Sequence, residues 1–166
     1  MLERDGGPRP VHSLARMTAL RIDRSRWPLL LNVFNGEQEP AELERYMREM
    51  DAIYDAAEPF IAASFMLRYR PDMAQLKRLA DWTRDRRAAT KKACLGTAII
   101  APSAGFRFLF STLLMMQPIP IPYCVVSDVD EACAWIEAEL AKHGKKPPPA
   151  MRAFLREQLE RERARG

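Results

Sequence analysis

Apolar positions in this chain follow two periods in turn, and the switches between them outline its elements. Residues 17–23 (MTALRID) alternate weakly, and 27–36 (WPLLLNVFNG) form a near-continuous apolar run closed by Asn35-Gly36. The pattern predicts a short strand and then a buried one, joined by a turn at Arg24-Ser25-Arg26. Between Glu39 and Ala56 the period changes. Pro40 stands in the first turn with acids around it, and Leu43, Tyr46, Met47, Met50, Ile53 and Tyr54 recur at three- and four-residue spacing, an amphipathic helix. PFIAASFML (59–67) is a compact apolar run suited to a central strand, and 71–96, opening on Pro71-Asp72 and closing on Gly96, reads as the longest helix.

The second half repeats the scheme. TAIIAPS (97–103) reads as a strand, with Ser103 placed to cap an apolar helix over 104–117. IPYCVVSD (121–128) is the last strand. Ser127 or Asp128 can cap the next helix, whose Ala132, Trp135, Ile136 and Leu140 share a face before the Lys142-His143-Gly144 ending. Three prolines (147–149) then precede a final helix at 150–164 with Met151, Phe154, Leu155, Gln158 and Leu159 on one side. Strands separated by helices imply crossovers, so the expected fold class is α/β. It is a single sandwich domain with a mixed, mostly parallel sheet, an initial antiparallel hairpin, helices covering it and an added C-terminal helix. The expected divisions are a flexible arm over 1–16, the α/β domain over 17–144, a proline hinge over 145–149 and the amphipathic helix over 150–166.

One stretch carries more apolar surface than this architecture needs. In AGFRFLFSTLLMMQ, the residues Phe106, Leu109, Phe110, Leu113 and Leu114 suffice for a sheet-facing stripe, which leaves Phe108, Met115 and Met116 in excess, followed by Ile119 and Ile121. The run 108–116 is well short of the roughly 20 residues that cross a bilayer, and Pro118, Pro120 and Pro122 stop its continuation. Singly exposed apolar residues are ordinary, whereas a contiguous set suggests burial by something beyond the sheet. The expectation is a homodimer built from this helix and the C-terminal one, with Phe106, Phe108, Leu109, Met115, Met116, Ile119, Phe154, Leu155 and Leu159 at the interface. Whether the C-terminal helix docks within its own chain or across the dimer stays open. A second possibility is a ligand-binding domain in which the Phe/Met helix walls an apolar pocket and Arg68, Arg70 or Arg107 fixes an acidic head group.

Composition and charge narrow the chemistry. With 166 residues and 48% apolar content the chain can bury one sizeable core. Its formal charge of +4 is concentrated in 68–92, where nine cations face three anions, a local +6 that leaves −2 for the rest. Arg68, Arg70, Arg84, Arg87 and Lys91 are the anion-binding candidates, with Lys77, Arg84 and Lys91 recurring every seven residues. A solvated face is the bland reading of such a run. An acidic protein partner is the sharper one, and nucleic acid is disfavoured because no aromatic-basic pattern accompanies the charges. Cys94, Cys124 and Cys133 are odd in number and set in apolar context, as reduced buried thiols in the cytoplasm would be. The N-terminal MLERDGGPRPVHSLARM has no apolar core of the secretory kind. His12 and His143 are far apart, no Cys/His/Asp cluster has metal-ligand spacing, and Ser103 in APSAG lacks the glycines of a phosphate loop. Asp128 with Asp130 or Glu131 looks like helix-start chemistry, so neither catalytic residue nor cofactor nor metal is expected. Trp27, Trp82 and Trp135 are expected as packing residues at the ends of elements.

The initial hairpin, AELERYMREMDAIYD, and the terminal strand with its acidic turn and DVDEACAWIEAEL helix resemble bacterial SpoIIAA-like, STAS-type domains over about residues 17–141. The resemblance implies a small regulatory or scaffold domain without catalysis that binds a protein and occasionally a small ligand. Phospho-switched members carry a Ser or Thr after an Asp where this chain reads MLRYRPDMAQ, with neither. Ser64, inside an apolar strand, reads as a small packed residue and not a phosphosite.

Overall fold

A computed structural model of the protein describes residues 18–166, so the arm expected over 1–16, together with His12, lies outside the described residues. The described residues form five strands and six helices: β1 (Leu20–Arg26), β2 (Leu29–Asn35), α1 (Pro40–Ala56), β3 (Phe60–Leu67), α2 (Met73–Asp85), α3 (Arg87–Ala93), β4 (Cys94–Ile100), α4 (Ala104–Met116), β5 (Tyr123–Val126), α5 (Val129–Lys142) and α6 (Met151–Ala164). The sheet runs β1-β2-β3-β4-β5, with β1 antiparallel to β2 and every other pair parallel. This is the mixed α/β sheet that the alternating patterns predict.

The strand order decides where the helices go. Because β2 to β5 are laid down in one direction across the sheet, three right-handed crossovers place α1, α2 with α3, and α4 on one face. Helix α5 leaves the last strand and, with α6, covers the other. The central strand β3 is consequently apolar on both sides: Ile61, Ala63, Phe65 and Leu67 meet α5 and α6, while Phe60 and Ala62 meet α1 and its neighbours.

Three expected boundaries are corrected. Arg24, Ser25 and Arg26 are not the hairpin turn; they extend β1 past a register shift between Asp23 and Arg26, where the Ser25 N–H donates to Asp23 Oδ1 at 2.8 Å. The connection itself is Trp27–Pro28, whose peptide bond is cis. The single helix expected over 71–96 is two, broken at Arg86. There the guanidinium reaches Asp51 at 2.9 Å and Asp55 at 2.6 Å on α1 and lies 5.9 Å from the Tyr54 ring centre. Finally, β4 begins at Cys94 directly after α3 and ends at Ile100, so Gly96 stands inside the strand. A Cβ there would come within 2.8 Å of the Trp135 ring and 3.1 Å of the Pro122 carbonyl, which is why the position has no side chain.

The C-terminal helix docks on its own chain. Met151, Phe154, Leu155 and Leu159 are buried beside α5, and Asp130 of α5 accepts hydrogen bonds from Arg152 at 3.2 Å and Arg156 at 2.6 Å. At the far end Glu162, only 2% exposed, takes Arg21 at 3.0 Å, Arg165 at 2.7 Å and Asn35 Nδ2 at 2.9 Å. Burial alone would raise the Glu162 carboxyl, but the hydrogen bonds from Asn35, Arg165 and Arg21 outweigh it and hold the group below the ordinary glutamate range. A group lowered on folding stabilises fully above its unfolded value and loses that contribution as the pH drops through the folded one. Replacement Glu162→Gln is therefore expected to lower stability by about 1–2 kcal/mol at neutral pH. The difference should shrink as the pH falls below about 4.3, read as a shift in urea midpoint at constant slope.

Candidate functional site

Helix α4 exposes more large apolar side chains than any other described element. It starts where Ser103 Oγ accepts the Phe106 N–H at 3.3 Å, as expected of a cap. Its one charged residue, Arg107, folds back and donates to the carbonyls of Ala101 at 2.7 Å and Pro102 at 2.8 Å. Leu114 is buried, and Phe106 and Phe110, half-buried, stack with ring centres 5.6 Å apart. Everything else large on the helix faces outward: Phe108 is 77% exposed, Leu109 59%, Leu113 47%, Met115 83% and Met116 76%. The expected sheet-facing stripe is thus too wide. Leu109 and Leu113 leave it, because α4 packs along β5, an edge strand of four residues that covers only a narrow side of the helix.

The expected interface is brought together in part. Phe106, Phe108, Leu109, Met115 and Met116 share α4, and Ile119 follows it half-buried. Phe154, Leu155 and Leu159 do not join them, since they are packed in the core on the opposite face of the sheet. A surface made of α4 and α6 together is therefore corrected to a surface made of α4.

Part of the basic segment is neutralised by its own neighbours. Lys77 pairs with Asp81 at 2.8 Å, Arg84 with Asp81 at 3.1 Å and Asp85 at 3.6 Å, and Arg78 with Glu44 at 2.9 Å. The hydrogen bond from Lys77 and the nearby Arg84 hold Asp81 below the usual carboxylate range. The break at Arg86 also interrupts the seven-residue repeat that would have aligned Lys91 with Arg84. The five anion candidates do not converge. Arg68, in a left-handed turn after β3, donates to Asn35 Oδ1 at 3.2 Å and to the Glu162 carbonyl at 3.2 Å, so it clamps α6. Arg70 lies just beyond it at the C-terminal end of β3, whereas α2 carries the chain back toward the opposite end of the parallel strands before Arg84, Arg87 and Lys91.

Between the two flanks of this face lies a groove of about 170 Å³. Tyr54, Trp82 and Leu79 line one side, Phe110, Ile119 and Ile121 the other. Its floor is the sheet, where Asn32 of β2 and Ser64 of β3 are partners in register. Neither residue stands out by any motif. The sequence signal is one polar letter in the interior of each of two apolar strands, Asn32 in LLLNVFN and Ser64 in FIAASFML. Ser64 is buried, as expected, and Asn32 is 5% exposed with its Oδ1 unpartnered.

The other candidate chemistry sits in structural positions. His143 caps the end of α5, donating its backbone N–H to the Leu140 carbonyl at 3.0 Å. Asp128 Oδ1 accepts the Glu131 N–H at 2.9 Å, and Glu131 Oε2 accepts the Ser127 N–H at 3.0 Å, a capping arrangement. Among the described residues there is no group of three His, Cys, Asp or Glu side chains able to hold a metal ion, and no helix long and apolar enough to cross a membrane. The three tryptophans pack against the core, with Trp82 Nε1 donating to Asp51 at 2.9 Å, but Trp135 stands in the middle of α5 and not at the end of an element as expected. Compared with known proteins, the chain matches no family model, no curated protein and no solved structure.

Burial pushes the thiol of Cys94 up to about 12 and that of Cys124 to about 11, and raises Cys133 as well. Thiolate is the reactive form, so all three should resist modification in the folded protein. A chromogenic disulfide reagent at pH 8 is expected to label none of them rapidly in native protein and all three in denaturant.

Proposed function

We propose that this protein is a non-catalytic, STAS-like regulatory or scaffold module of a reducing compartment that pairs with a second copy of itself through α4. The observation that carries the reading is the outward half of that helix, where five large apolar side chains stand exposed and no charge interrupts them. A surface helix ordinarily keeps its charged residues on that half. Here the helix's sole guanidinium is turned inward, so two such faces can meet without stripping water from an ion.

The area is sufficient for a specific contact. Five side chains offering on the order of 100 Å² each give roughly 500 Å² per copy, or roughly 1,000 Å² for the pair, the lower bound for a specific interface. Twofold pairing uses the same patch on both copies and closes on itself. Met115 and Met116 adapt their shape to a facing surface more readily than branched side chains do. The reading as a STAS-like module rests on the order of elements and the mixed sheet, and that resemblance implies action by binding other proteins.

Light scattering on the full chain should give about twice the chain mass of 19.0 kDa at tens of micromolar. The double replacement Phe108→Glu with Met116→Glu should return the single-chain mass with circular dichroism unchanged, because both residues are exposed, and should remove the concentration dependence of the thermal midpoint that pairing gives the wild type. A wild-type chain that stays monomeric across that range contradicts the proposal.

A further inference from the structure

We infer that the groove between α2 and α4 is a binding site for an uncharged, mainly aromatic small molecule carrying one hydrogen-bond donor, which the Asn32 side chain accepts. An unpartnered polar group points to it. Asn32 is one of the few polar residues on the buried faces of the sheet, and its Oδ1 has no hydrogen-bond partner and is closed to solvent, so a ligand donor reaches it by a turn of the terminal amide toward the groove that Asn32 lines. Buried polar atoms in folded proteins are almost always paired, so an orphan beside a groove marks a place where a partner atom belongs. Ser64, directly across on β3, makes no side-chain hydrogen bond among the described residues and adds a second polar contact on the same floor.

The walls indicate what kind of molecule fits. Not one of the lining residues is charged, so a carboxylate or an ammonium group would enter without a counterion, at a desolvation cost nothing in the groove offsets. This turns the expectation of an acidic ligand held by Arg68, Arg70 or Arg107 around: Arg107 is engaged by backbone carbonyls, Arg68 clamps α6, and none of the three lines the groove. Rings from both flanks, Tyr54 and Trp82 on one side and Phe110 on the other, favour a flat apolar body. The volume of about 170 Å³ exceeds that of the ~150 Å³ apolar cavity known to take benzene, so a single substituted ring is an appropriate size.

The test uses a matched pair of probes, 4-ethylphenol, which has the donor, and 4-ethylanisole, which has lost it to a methyl group. Each is titrated into the full chain and followed by amide shifts in two-dimensional NMR. Saturable shifts at Asn32, Ser64 and Thr97 are expected, with the phenol binding about five- to tenfold tighter than the ether. Asn32→Leu should bring the two affinities together, and Ala62→Met, which puts bulk on the floor, should weaken both. Equal affinities in the wild type would overturn the role of Asn32. No saturable shift with either probe would overturn the site altogether. The wild-type comparison decides the matter even if a variant fails to fold, and because it is independent of oligomeric mass it can fail without the pairing of α4 failing.

Discussion

A parallel sheet buried on both faces requires two helical layers, and in this chain the order of the strands makes those layers unequal. Placing β2 to β5 in sequence across the sheet sends every crossover helix to one side. The other side has no crossover of its own and is covered only by the helices that come after the last strand, which is why α6 is part of the fold and no mere appendage. Its apolar face fills the layer beside α5. The cluster of Arg21, Asn35, Arg165 and Glu162 fixes its end against the first two strands.

The crowded side shows the complementary problem. Helices α1, α2 and α3 pack together around Tyr46, Tyr54 and Trp82 and leave α4 alone over the edge strand. Two features result from that spacing. The helix keeps most of its circumference uncovered, and the sheet between α4 and the other three is bridged by a groove instead of by packed side chains. Surplus apolar surface outside and an orphaned amide inside therefore share one cause, the distance between α4 and its neighbours.

Much of the fold was legible because its signals are local. The capping residues Ser103 and Asp128, the proline that opens α1 and the apolar run of β3 each state their element within a few residues, and each stands where the pattern puts it. The features that escaped depend on contacts distant in sequence. Nothing in residues 71–96 announces a break at Arg86, which depends on Asp51 and Asp55 some thirty residues earlier. Phe154, Leu155 and Leu159 have the same amphipathic spacing whether they dock on their own sheet or on a partner, and only the uncovered face of that sheet decides between the two. Asn32 carries the groove's polarity and has no motif at all, since an orphaned atom is defined by the surroundings that fail to meet it.

Helix α4 is central to this picture as the element for which a second copy is the proposed cover. Hydrogen exchange across a dilution series reads this directly, because the amides of a helix held by little packing of its own open locally unless a partner covers them. Protection over residues 104–116 is predicted to rise with protein concentration, while protection in α1 and α5 stays constant. Exchange in α4 that is independent of concentration, at whatever rate, would contradict the pairing.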